Sequence, residues 1–261
     1  MITQIGFQKL SHQQNVDKDL VAQRFKSSTE TYRNSAIVQE QMASHLSELL
    51  KDFSNKEFNR VLEVGCGTGF LTQKLPHEKM ERFWANDLVA EVGKTVSEIR
   101  KDCTFLAGDI EKIAIPDQLD LIVSGATFQW VTAPRTFFCK LRDHLDVNGL
   151  LCFSTFGTRN FYEIRQLTNQ GLNYIEKQDY SHLLYNFQIL HLQEKTYTLY
   201  FESVKDLLRH IKDTGVNGVH QSPWSIREYR NFEKAYEEHF RSEKGLSLTY
   251  DALFIIAKKL N

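Results

Sequence analysis

Three glycines at alternate positions, Gly65, Gly67 and Gly69, follow Val61 to Val64, four residues that read as a buried strand carrying one acid, Glu63. Glycine accepts positive φ and, having no Cβ, lets a ligand lie directly on the backbone. In an open parallel sheet such a ligand sits in the crevice beyond the carboxyl ends of the strands. The spacing narrows the ligand further. A dinucleotide fingerprint places its third glycine three residues after the second, and here that position is Phe70. Glu63 stands two residues before the first glycine, where a carboxylate opposes a pyrophosphate and suits a cationic amine or a sulfonium. Cys66 lies inside the same turn.

Two more acids fall at predicted strand ends. Asp87, followed by Leu88, closes a second strand twenty-two residues beyond Gly65. A carboxylate there accepts from both hydroxyls of a ribose diol, a feature common to several nucleoside cofactors; the bland alternative is a solvated turn aspartate. Asp109 follows Gly108 at the end of a third strand, with helix capping as its alternative role. The exit of a fourth strand, Ser124-Gly125-Ala126-Thr127-Phe128-Gln129-Trp130, faces the place where a reacting group must point. Aromatic surfaces exclude water and attract positive charge, and the Gln129 amide is suited to orienting an acceptor oxygen. At least one of Phe128 and Trp130 is expected in the core. Tyr32, read as lying between two helices that precede the cofactor strand, is placed to cover the cleft or to sit at the surface. No HExxH or other short metal-ligand spacing occurs, and no cysteine–histidine or serine–histidine–acid pairing stands out, so neither a metal nor a covalent mechanism is indicated.

The elements that must position these residues alternate. Strands are predicted at 60–64, 82–86, 103–107, 119–123 and 150–155, with helices from about Gly69, over Val89 to Lys101 and over Pro134 to Leu145. This βαβ rhythm implies a mostly parallel sheet with helices on both faces. Before it, an amphipathic pattern starts at Asp17 and a helix fits Ser35 to Phe53. After it, the periodicity predicts helices over Asn160 to Thr168, Val204 to Thr214 (interrupted at 215–218) and Ser225 to Arg241, the last with a capping box between Ser225 and Glu228. Strands are expected over Thr196 to Phe201 and Leu248 to Ala257. The chain reads as one domain, 1–261: an N-terminal extension and helices (1–53), a cofactor-binding core (58–155), a substrate-side elaboration (156–245) and a last strand (246–261).

A formal net charge of −1 gives no bulk argument for nucleic acid or an anionic membrane. No apolar run nears the ~20 residues needed to span a bilayer, and the first residues lack the pattern of a signal peptide. A cytoplasmic protein with four reduced, packed cysteines is expected.

The Gly65–Gly69 turn with Glu63 resembles the first motif of the class I methyltransferases that use S-adenosyl-L-methionine, which implies a Rossmann-like class I fold with a seven-stranded sheet and an elaboration after strand five. By that resemblance the loop holds the methionine end of the cofactor, Asp109 accepts from the adenine amine, and Ile110 packs on the ring. Longer stretches resemble one family, the malonyl-[acyl-carrier-protein] O-methyltransferases of biotin synthesis. They are Arg24-Phe25 through Thr31-Tyr32, Leu106 to Glu111, Ala126-Thr127-Phe128-Gln129-Trp130, Phe153-Ser154-Thr155-Phe156-Gly157 with Asn160-Phe161, Val204 to Leu208 with Gly215, and Thr249 to Phe254. The implied activity is methylation of the free carboxylate of malonyl-acyl carrier protein, with the acidic carrier as partner and no nucleic acid or membrane involved. On this reading Tyr32, Gln129 and Tyr250 line the methyl-transfer pocket, Phe128 and Trp130 meet the substrate, and Arg209 and Lys212, with Arg159 and Arg165 as further cations, anchor the malonyl group or the carrier. Residues 1–16 form an extension without an assigned role. Two rivals stay open at this point: a methyltransferase for a quinone precursor or other small acceptor, and a non-catalytic cofactor-binding regulator.

Overall fold

The computed structural model describes residues 16–53, 58–76, 80–215 and 224–260. The expectations for residues 1–15 and 216–218 lie outside them. Among the described residues eight strands form one sheet: β1 (Arg60–Val64), β2 (Arg82–Asp87), β3 (Cys103–Ala107), β4 (Leu119–Gly125), β5 (Leu145–Phe156), β6 (Phe187–Phe201), β7 (Arg241–Ser242) and β8 (Gly245–Lys259). Their order is β3-β2-β1-β4-β5-β8-β6, with the two-residue β7 pairing β8. The first five run parallel, and β8 runs antiparallel to both neighbours. The strand order reverses between β1 and β4, the switch point at which open α/β sheets bind ligands. Val61, Leu62 and Val64 are buried, as are Leu121 to Val123 beside them, because helices cover both faces of a parallel sheet.

Helices α1 (Lys18–Ser35) and α2 (Ile37–Phe53) precede the sheet. Asp17 caps α1 by accepting from the Leu20 amide at 3.0 Å. Val38, Met42, Leu46 and Leu50 put α2 into the core at helical spacing. The remaining helices are α3 (Val92–Ile99), α4 (Pro134–His144), α5 (Tyr162–Thr168), α6 (Tyr180–Leu183), α7 (Val204–Asp213) and α8 (Ile226–Phe240). The expected capping box opens α8. Among the described residues no helix is long and apolar enough to cross a membrane, and all four cysteines are free.

Three expectations change. Tyr32 lies within the last turn of α1; only Ala36 separates the two helices. The helix expected after the glycine turn is a single 3₁₀ turn, Thr72–Lys74, because Pro76 holds Leu75 extended at φ −75°, ψ 146°. Strand β6 begins nine residues before Thr196. Its polar residues fall on both faces of an edge strand, so the alternation that marks a half-buried strand is weak there. The path of the sheet has the expected seven strands, two of them after strand five, and the two-residue β7 adds an eighth beside β8.

Candidate functional site

The turn after β1 gives different work to its glycines. Gly65 has φ +67°, and a Cβ there would lie 2.1 Å from Thr127 Oγ1. The loop after β4 is thus locked against the glycine turn. Gly67 has φ +49°, and a Cβ there would meet nothing within 4 Å. That position is left clear as open floor. The Gly67 amide donates to Asp87 Oδ2 at 2.8 Å, and the Val89 amide to Asp87 Oδ1 at 2.9 Å. Two fixed amides thereby aim the carboxylate and leave it further lone pairs.

Above this floor α1 forms a roof. Val21, Ala22, Phe25, Thr29 and Tyr32 line a hollow of ≈ 940 Å³, counting the part open to solvent. Its walls are Asp87, Leu88, Asp109, Ile110, Thr127 and Trp130. A second, smaller hollow adjoins it, lined by Glu63, Cys66, Gln39 and Phe70, and the two share Tyr32, Gly65, Gly67, Thr68 and Gly125. The Tyr32 ring stands 5.9 Å from both Phe25 and Phe70. Tyr32 and Thr68 are therefore the side chains at the junction, and burial, with Asp87 adding to it, pushes the Tyr32 phenol upward.

The acids at the two ends differ in state. Glu63 is 1% exposed and accepts from Thr72 Oγ1 at 2.7 Å. Burial drives its carboxyl up to about 8 against the lowering by Thr72, and nearby Asp87 adds to the rise. Asp87 is also raised, first by burial. Asp109 behaves oppositely. Burial pushes it up, but the Lys18 ammonium and the Glu111 amide outweigh that, and it titrates below the ordinary carboxylate range. Lys18 Nζ donates to Asp109 Oδ1 at 2.5 Å and also pairs with Glu111.

These residues suit a nucleoside carrying a cationic tail. Gly67 leaves its backbone face clear, Asp87 offers paired oxygens, and the buried Thr68 hydroxyl and Gln39 carbonyl beside Glu63 have no hydrogen-bond partner among the described residues. An orphaned acceptor costs free energy until a donor arrives.

Not every expected residue reaches the hollows. Gly69 shapes the turn at φ +84° but lines neither. Ser124 is fully buried, donating to the Val64 carbonyl at 2.8 Å, and ties β4 to β1. Phe128 packs into the core, 5.0 Å from Phe137 and 4.7 Å from Phe153, while Trp130 faces the hollow. The Gln129 amide donates to the Ala126 carbonyl and its carbonyl accepts from Thr155, so both its ends are engaged. Tyr250 is fully buried, its hydroxyl 2.7 Å from His210 Nε2, and lines neither hollow. Arg209 pairs with Asp206 on exposed α7, where Lys212 is also exposed. Arg159 pairs with Glu194, and Arg165 donates to the Leu172 carbonyl.

Sequence reasoning missed Lys18, Asn86, Thr127 and the Gln39–Thr68 pair. Asn86 donates to the Leu106 and Gly108 carbonyls and so sets the turn that presents Asp109. Thr127 and Thr68, each inside a motif given above, carried a signal.

Comparison with known proteins agrees with this geometry. A family profile described as a methyltransferase domain matches residues 62–153. The chain is 40% identical to the malonyl-[acyl-carrier protein] O-methyltransferase of Calditerrivibrio nitroreducens, over 87% of this chain and 91% of that protein. It is 36% identical to the protein of the same name from Bacteroides helcogenes, over 93% and 99%. Among solved structures it is similar to the YcgJ protein of Bacillus subtilis, with TM-score 0.61 and 12% identity over 83% of this chain and 99% of that one. It is also similar to the N-methyltransferase NodS of Bradyrhizobium japonicum in complex with S-adenosyl-L-homocysteine, with TM-score 0.51 and 15% identity over 88% and 99%. At such identities the structures support the fold alone.

Proposed function

The chain belongs to the malonyl-[acyl-carrier protein] O-methyltransferase family, and from that membership we infer an enzyme that methylates the free carboxylate of malonyl-acyl carrier protein, using S-adenosyl-L-methionine. The observation that carries this reading is the extent of the likeness. It runs over nearly the whole chain, through the region after strand five as well as the cofactor half. Solved structures that share the fold also cover most of the chain, but at 12% and 15% identity, whereas these relatives keep 40% and 36% over a comparable span.

The cofactor supplies an activated methyl group on a sulfonium sulfur. The chain's residues have three tasks. The first is to hold the cofactor. Asp87 meets the ribose diol, Asp109 the purine amine with Ile110 and Leu88 on the ring, and Glu63 the cationic end beside Gly65, Cys66 and Gly67. The second is to exclude water, with α1 as roof and Trp130 and Phe25 in edge-to-face contact at 6.0 Å. The third is to orient the acceptor. Tyr32, at the junction of the hollows, is our candidate for touching the malonyl carboxylate; Gln129 and Tyr250 act behind it, holding the loop after β4 and the last strand. No general base is required, because a malonyl carboxylate is ionised near pH 7. Positioning alone can supply up to roughly 7–11 kcal/mol of a barrier.

The carrier is an acidic partner on this reading, met by the basic face of α7 with Arg209 and Lys212. Support comes from the hydrogen bond of Thr31 to the Asp213 carbonyl at 3.2 Å, which fastens the end of α7 to the roof helix. The product belongs to biotin synthesis, where the ester masks a charge so that the acyl chain can be elongated. The test is mass spectrometry of malonyl-carrier protein incubated with S-adenosyl-L-methionine. One added methyl, lost on ester hydrolysis, is the expected result; an unmodified carrier, with small phenols methylated instead, would overturn it.

A further inference from the structure

We propose that Lys18 is a positioning residue for purine recognition: from the roof helix it fixes Asp109 through Oδ1, so that Oδ2 is presented to the exocyclic amine of an adenine. The proposal rests on the cofactor reading given above and adds to it a residue from outside the sheet.

The contacts are uneven in a telling way. Both hydrogen bonds to Asp109 land on Oδ1, from Lys18 Nζ at 2.5 Å and from the Glu111 amide at 3.1 Å. Among the described residues Oδ2 has only Lys112 Nζ at 3.7 Å, beyond hydrogen-bond reach, and that lysine is 83% exposed. An amine donor therefore finds one oxygen committed and the other with lone pairs to spare. A carboxylate held by two donors cannot turn, and an acceptor aimed beforehand loses less freedom when its ligand arrives.

Lys18 is itself held. Its second partner, Glu111, accepts from the Thr132 amide, the Thr132 hydroxyl and the Ala133 amide, each at 2.9 Å, and so is anchored at the start of α4. The group is enclosed, with side chains only 18%, 12% and 11% exposed for Lys18, Asp109 and Glu111. Lys140, a further cation nearby besides the exposed Lys112, is taken up by the Ile110 and Ile113 carbonyls. Lys18 is thus the cation from α1 that reaches the purine-facing acid, across 91 residues of sequence. Seating the roof and aiming the acceptor become one event.

The test compares two ligands within one variant, so that general loosening of α1 cancels. Dissociation constants are measured by calorimetry for S-adenosylhomocysteine and for S-inosylhomocysteine, whose purine carries an oxygen in place of the amine. In Lys18→Met the adenosyl ligand should weaken about tenfold, while the inosyl ligand changes less than twofold. Lys18→Arg should restore most of the difference, and kcat at saturating cofactor should stay within about threefold. Equal weakening of both ligands, or no weakening of either, would overturn the proposal and reduce Lys18 to a helix anchor. Lys18→Gln repeats the comparison should Lys18→Met fold poorly. A wild-type protein that binds neither ligand overturns the cofactor reading, and this inference with it. Wild type that binds both, with no Lys18-dependent difference between them, overturns this inference alone.

Discussion

The two ends of the hollow hold acids in opposite conditions. At the Glu63 end no cation among the described residues pairs with the carboxyl, and burial raises it to about 8, so that it is protonated near neutral pH. At the Asp109 end Lys18 keeps the carboxyl ionised. The difference tells which ligand groups each end serves. An acid that carries its own counter-ion stays charged in the empty protein and suits a neutral donor such as a purine amine. An acid with none becomes charged when a cation is brought to it, so charge enters that end together with the ligand.

Removing the waiting acid should have the largest effect. Glu63→Gln should lower affinity for S-adenosyl-L-methionine by on the order of 10–100-fold, the range for a lost charge-assisted hydrogen bond, measured by calorimetry. In the wild type, cofactor binding near pH 7 should release close to one proton. This would show as a binding enthalpy that varies with the ionisation heat of the buffer and as affinity rising up to about tenfold per unit between pH 6 and 8. Glu63→Gln should abolish both signatures. Stability without ligand should move the other way. The folded protein holds the Glu63 proton up to about 8 and the unfolded chain only to 4.5. This contribution is full below pH 4.5 and is lost as pH rises through 8, so the melting temperature of the wild type should fall relative to Glu63→Gln across that window.

A smaller effect is expected at the substrate face. Charge reversal at Arg209 or Lys212 should raise KM for the carrier several-fold at low salt, less at high salt, and leave stability within about 0.5 kcal/mol. Smallest of all, Thr72→Val should remove the hydroxyl that lowers Glu63 and shift the pH midpoint of cofactor binding upward by a fraction of a unit.

Much of the cofactor end was legible in the sequence because strand ends, glycine spacing and acids fall together in short stretches. Asp87 and Asp109 needed only the strand rhythm to be placed. The substrate end was harder to read. Phe128, Gln129 and Trp130 form a 3₁₀ turn. Such a turn advances 120° per residue, so three neighbours in sequence point three ways. Phe128 goes to the core, Gln129 to Thr155 and Trp130 to the hollow. Adjacency in a motif carries no information about that division. Ser124 was misplaced for a related reason: at a strand end, period 2 decides which face a hydroxyl takes, and this one turns to the Val64 carbonyl. Lys18 gave no local sign, since its partners lie 91 and 93 residues away.

The single residue between α1 and α2 has a mechanical consequence. Ala36 is fully buried and its amide closes onto the Tyr32 carbonyl at 2.8 Å, so the joint has almost no slack. With α2 packed into the core, the first helix is a rod of 18 residues, about 27 Å long, that can swing but not slide. A swing of about 10° at Ala36 carries the far tip about 5 Å, enough to part Lys18 from Asp109, while Tyr32 beside the pivot hardly moves. The chain thus sets the lysine contact that holds the roof down and the tyrosine that turning the roof moves least at opposite tips of one lever.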